Sequence, residues 1–145
     1  MQPNAGPLRM LTDLPPRPRK AERPRILIVD DDTSFLELAA TVLSSEGFEV
    51  RVARTPGEAL MWAVREPPDV VLLDILLRDA DGLDVLEALR DEPETKSVPV
   101  LACTGIGESA SLLNQCGFDA TVEKPFDLRA FAQALKLALP ERTTE

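Results

Sequence analysis

The stretch RILIVDDDTSF, residues 25–35, decides how this chain is read. Ile26, Leu27, Ile28 and Val29 form an unbroken apolar run, the pattern of a short strand covered on both faces. The run passes into Asp30, Asp31 and Asp32 with no turn residue between. Carboxylates at close quarters repel, so three of them at the end of a buried strand need a physical reason.

Regular structure continues outward from that point. TSFLELAATVLSSEG (33–47) has helical spacing, with Phe35, Leu38, Ala39, Val42 and Leu43 expected on its buried face and Gly47 at its stop. FEVRVA (48–53) alternates like an edge strand. TPGEALMWAVRE (55–66) opens with Thr55, Pro56 and Glu58, a capping box with proline at the first helical position. PDVVLLD (68–74) is again a continuous apolar strand. DGLDVLEALRDE (81–92) reads as a helix, VPVLACT (98–104) as a strand and ESASLLNQC (108–116) as a helix ending at Gly117. ATVE (120–123) is a last strand, and DLRAFAQALKLAL (127–139) a helix capped by Asp127.

A strand followed by a helix, repeated to the end, implies right-handed crossovers and a parallel sheet with helices on both faces. The expected fold is α/β: a doubly wound, flavodoxin-like (βα)5 sandwich with a five-stranded parallel sheet in the order 2-1-3-4-5. Residues 1–24 stand apart. They carry six of the 13 prolines and no strand or helix period, and read as a flexible tail. Arg9, Arg17, Arg19, Lys20 and Arg23 make this tail mildly basic. Residues 25–139 read as the domain and 140–145 as a short C-terminal tail.

The totals exclude several classes of function. A formal net charge of −9 argues against binding nucleic acid through bulk charge. The two cysteines, Cys103 and Cys116, have no zinc-ligand spacing and are too few for a disulfide scaffold. No apolar stretch is long enough to insert in a membrane, and no export signal is evident, so a cytoplasmic location is expected. The absence of histidine and tyrosine confines any chemistry to carboxylates, hydroxyls, amines, thiols or a metal.

Ligands of such sheets bind beyond the carboxyl ends of the strands. There the first strand offers Asp30, Asp31 and Asp32, the third Asp74, the fourth Thr104 and the fifth Lys124. Each has a plain structural explanation: Asp32 or Thr33 as a helix cap, Asp74 as a turn residue, Thr104 as a strand residue, Lys124 as a solvated amine. Together they demand more, because capping needs one acidic side chain and not several that converge. A hard divalent cation relieves the repulsion, and Mg2+ takes oxygen ligands of this kind. Phosphate is the natural companion of such an ion, with Lys124 and Thr104 available to its oxygens.

At this point the motifs ILIVDDD, PDVVLLDILL followed by DG, VPVLACTG and EKPF resemble the receiver domain of bacterial two-component response regulators, the chemotaxis-type single-domain receivers being the simplest. The resemblance covers residues 25–139. It implies a stand-alone phosphoacceptor that is not an enzyme in the ordinary sense but promotes its own phosphorylation and dephosphorylation. Asp74 would accept the phosphoryl group as an aspartyl phosphate. Asp30, Asp31, Asp74 and the backbone carbonyl of Leu76 would hold Mg2+ or Mn2+. Thr104 would be the switch hydroxyl, Lys124 the phosphoryl-binding amine, and Pro125 a cis proline. A sensor histidine kinase or histidine phosphotransfer protein would be the donor, and a downstream protein the target. The protein would be a monomer or weak dimer.

Departures from the family pattern carry expectations of their own. Thr121 replaces the usual aromatic switch residue, and Arg78 the usual proline after the phosphoacceptor. Leu76 and Ile106 occupy positions that tune dephosphorylation; both are apolar, so slow hydrolysis is expected. Two other readings compete. A haloacid-dehalogenase-type phosphatase would take its nucleophile from the Asp30–Asp32 run, but leaves Asp74 without a role and needs a cap domain that is not evident. A pseudo-receiver would use the fold for docking without phosphorylation.

Overall fold

The computed structural model describes residues 23–77, 80–105 and 116–139. Five strands, β1 (Arg25–Val29), β2 (Glu49–Ala53), β3 (Val70–Asp74), β4 (Val100–Thr104) and β5 (Ala120–Glu123), form one parallel sheet in the order β2-β1-β3-β4-β5. The described helices are α1 (Thr33–Ser45), α2 (Pro56–Arg65), α3 (Gly82–Asp91) and α4 (Leu128–Ala138). A two-residue antiparallel ladder joins Leu76–Leu77 to Ala80–Asp81, just after β3. The helix expected over 108–116 lies outside the described residues except for its last position. The N-terminal tail to residue 22, Arg78, Ile106 and residues 140–145 also lie outside them.

The sheet is doubly covered because its strands alternate their apolar residues between two cores. Ile26 and Ile28 of β1, Val70 and Leu72 of β3 and Cys103 of β4 pack with Leu36, Ala39 and Leu43 of α1 and with Leu128, Ala132 and Leu135 of α4. Leu27, Val29, Val71, Leu73, Val100 and Ala102 pack on the opposite side with Ala59 and Ala63 of α2 and with Val85, Leu86 and Leu89 of α3. Each fully buried Leu, Ile or Val contributes about 1.5–3 kcal/mol. The continuous apolar runs of β1 and β3 are thus two interleaved faces, and β2, which alternates, is an edge.

Local chemistry ends and starts the helices as the sequence suggests. Asp32 is the N-cap of α1, its carboxylate accepting the Phe35 N–H at 3.2 Å. Thr55 caps α2 by accepting the Glu58 N–H. The Glu58 carboxylate reaches back one residue further than a standard capping box, to the Arg54 N–H. Asp127 caps α4 through the N–H groups of Arg129 and Ala130. Gly47 follows α1 with φ of 100°, a left-handed stop that favours glycine.

The buried face of α1 departs from expectation. Leu36 is buried, whereas Leu38 is 57% exposed. At 100° per residue, Leu36 and Leu43 both lie close to Ala39 around the helix, while Leu38 lies about a quarter-turn away. Phe35 and Val42 flank the buried stripe and are half-buried.

Candidate functional site

The site lies where the sheet order reverses, between β1 and β3. The two strands are adjacent and parallel with Val29 opposite Leu73, so the residues that follow, Asp30 and Asp74, emerge side by side. Asp31 comes next in the chain. One oxygen each from Asp30, Asp31 and Asp74 lies within 4.8 Å of the others. Asp30 is 1% exposed. Its Oδ1 accepts the Asp32 N–H at 2.9 Å, and its Oδ2 accepts from Lys124 Nζ at 2.7 Å.

Lys124 arrives from the far side of the sheet. Thr104 lies opposite Glu123 in the β4–β5 register, and the Lys124 N–H continues the ladder to the Thr104 carbonyl at 2.8 Å. From there the side chain reaches back across β4 to β1 and β3, with Nζ 3.9 Å from an Asp74 oxygen. The Lys124–Pro125 peptide bond is cis. Burial pulls the Lys124 ammonium down, but the hydrogen bond to Asp30 and the charges of Asp30 and Asp74 outweigh it and hold the amine above its ordinary value. It is therefore a fixed cation at neutral pH.

Thr104 ends β4 and is buried at 5% exposure, one residue beyond Cys103, which lies opposite Asp74. Burial, opposed by Lys124, pushes the Cys103 thiol up to about 12, which makes it an inert neutral floor beside the charged groups. Thr121 lies on β5 opposite Ala102, half-buried. Leu76 follows Asp74 by two residues and pairs with Asp81 in the short ladder.

Three carboxylates and one ammonium leave the cluster with a formal charge of −2. The donors are all oxygens, and they already converge. That set fits Mg2+ or Mn2+, which favour carboxylates and water, and does not fit a soft metal. The groups that would hold the ion are Asp30, Asp31 and Asp74.

Two positions near the site were given no role there from sequence. Gly82, the first residue of α3, lies against the backbone that follows β3, its N–H donating to the Ile75 carbonyl at 3.1 Å. A Cβ there would lie 2.6 Å from Ile75 Cα and 2.8 Å from the Asp74 carbonyl oxygen, so only glycine fits. A glycine opening a helical pattern was the available signal. Phe35, read only as part of the core face, also lies beneath Lys124, with Nζ 4.4 Å from its ring centroid.

Comparison with known proteins agrees with this geometry. Residues 26–136 match the response regulator receiver domain family, and the chain belongs to that family. It is 36% identical over 122 residues to the DNA-binding dual master transcriptional regulator RpaA of Synechocystis, covering 83% of this chain and 50% of RpaA. The chain thus spans about half the length of that relative. Among solved structures, a CheY-like response regulator receiver domain protein from Methanospirillum hungatei superposes with a TM-score of 0.71 at 32% identity, covering 80% of this chain and 93% of the other. The chemotaxis response regulator CheY4 of Vibrio cholerae gives a TM-score of 0.72 at 25% identity, covering 81% and 99%.

Proposed function

We propose that this receiver accepts a phosphoryl group on Asp74 from a phosphohistidine of a sensor kinase or phosphotransfer protein, in a Mg2+-dependent reaction. The observation that carries the reading is the convergence of Asp30, Asp31 and Asp74 on one point, with Lys124 bridging Asp30 and Asp74. An Asp74 oxygen attacks phosphorus, the P–N bond to the donor imidazole breaks, and the imidazole nitrogen leaves and takes up a proton. The product is an acyl phosphate. Phosphoryl transfer needs positioning and charge neutralisation more than covalent help from the protein. Lys124 supplies a fixed positive charge beside the attacking carboxylate, and Thr104 a hydroxyl at the end of the adjacent strand. Bound Mg2+ would supply the remaining neutralisation on the phosphoryl oxygens. Leu76 would add a backbone carbonyl to the ion.

Output would follow as a shift between two conformations that alters affinity for a partner protein. With Thr121 at the usual aromatic position, that shift would not be read out by a ring swinging inward from β5. The test is intact mass after incubation with acetyl phosphate and Mg2+. One added phosphoryl group, absent without metal, supports the proposal. No adduct under any donor would favour a docking module that is not phosphorylated.

A further inference from the structure

We propose that Phe35 is a positioning residue for Lys124, holding its ammonium over an aromatic face where it can serve the phosphoryl group. The inference rests on the phosphoacceptor reading above and deepens it. Lys124 is a long side chain with several rotatable bonds, and it must cross β4 to reach Asp30 and Asp74. Two carboxylates attract it, a hydrogen-bonded Asp30 at 2.7 Å and Asp74 at 3.9 Å, and the aromatic ring of Phe35 meets it as well. Nζ lies 4.4 Å from its centroid, within the range in which a cation is drawn to the negative face of a ring. The ammonium therefore contacts two carboxylates and a π face together.

The ring is itself held. Phe126 meets Phe35 edge to face, with centroids 6.1 Å apart and planes at 64°. Phe131 of α4 meets Phe126 in the same manner at 5.3 Å and 67°. Such T-shaped pairs set ring orientation as well as burying area. Lys124 and Phe126 flank Pro125 in sequence, so one short segment delivers both the cation and the ring that orients its aromatic seat. Plain core packing would account for Phe126 and Phe131. It does not account for a half-buried ring turned with its face to a charged amine.

The test separates ring electrostatics from ring size. Phe35 is replaced by phenylalanine analogues of increasing fluorination, which keep the shape and weaken the negative face. The rate of phosphorylation by acetyl phosphate at saturating Mg2+ is expected to fall about threefold across the series, with every variant still fully folded by circular dichroism. Phe35→Leu should fall as far, and Phe35→Tyr should retain the wild-type rate. A second readout does not need phosphorylation: the Lys124 side-chain methylene protons next to Nζ should show an upfield ring-current shift that Phe35→Leu abolishes. An active wild type with equal rates across the fluorinated series would overturn the inference. If the wild type takes no phosphoryl group, the proposed function fails. The placement of Lys124 then stands or falls on the ring-current shift, whose absence would overturn it.

Discussion

Replacing Gly82 with alanine sets two effects against each other, and the structure decides which wins. Alanine is the better helix former by about 1 kcal/mol and loses less backbone entropy on folding, so a permissive site would be stabilised. Gly82 is not permissive. Its new Cβ would stand 2.6 Å from Ile75 Cα, 2.8 Å from the Asp74 carbonyl oxygen and 3.1 Å from the Ile75 carbonyl oxygen. All three are backbone atoms, so no side-chain rotation relieves them. Moving from 2.6 Å to an ordinary contact of 3.4 Å requires about 0.8 Å of displacement between the start of α3 and the end of β3. Overpacking of this kind costs about 1–3 kcal/mol, and contact with backbone puts this case at the upper end, above the helix-propensity gain. The displaced backbone belongs to Asp74 and Ile75, so the carboxylate cluster moves with it. Gly82→Ala is expected to lose about 2 kcal/mol in urea unfolding followed by circular dichroism, and to bind Mg2+ at least several-fold more weakly by titration. A variant as stable as wild type, with unchanged Mg2+ affinity, would refute the claim that close approach is what demands glycine here.

Other consequences follow from the same geometry. Lys124→Met leaves a buried Asp30 oxygen without its charged donor and should cost about 2 kcal/mol in metal-free urea unfolding; a loss below about 0.5 kcal/mol would mean the pair is structurally idle. Mg2+ at ten times its dissociation constant should stabilise the wild type by about 1.4 kcal/mol, reversibly with chelator. Asp31→Asn should largely remove that gain, and full retention in a thermal melt would exclude Asp31 as a ligand. Cys116, which is exposed, should react with iodoacetamide at pH 8 in the folded protein while Cys103 stays unmodified, as read by peptide mass. Labelling of Cys103 at a comparable rate would show that the floor of the site opens in solution.

Much of this arrangement was legible in the sequence because it depends on period and on strand ends. The apolar runs of Ile26–Val29 and Val70–Leu73 fit strands covered on both sides. Once those strands were placed side by side, Asp30 and Asp74 had to emerge together. Caps at Asp32, Thr55 and Asp127 were legible because each is a single side chain acting within its own turn. What escaped depends on distances between segments remote in sequence. Leu36 and Leu38 are equally apolar, and only the angular position of the helix against the sheet separates them. Gly82 was legible only as part of the helix over 81–92, and the Asp74 carbonyl against it belongs to the preceding strand. Phe35 fitted the core face so well that its second contact, with an amine far along the chain, gave no signal. The Arg25–Glu49–Glu66–Arg51 ion-pair network at the opposite end of β1 and β2 was likewise invisible, since it needs the register of two strands and the end of α2.

The central claim is that Asp74, and not a carboxylate following β1, carries the phosphoryl group. Borohydride reduces an acyl phosphate to a primary alcohol and so marks its position permanently. Protein incubated with acetyl phosphate and Mg2+, reduced, digested and sequenced by mass spectrometry should show the reduced side chain at position 74, with no mark in the Asp74→Asn variant. The mark at Asp30 or Asp32, persisting in Asp74→Asn, would contradict the account and place the nucleophile at the end of β1.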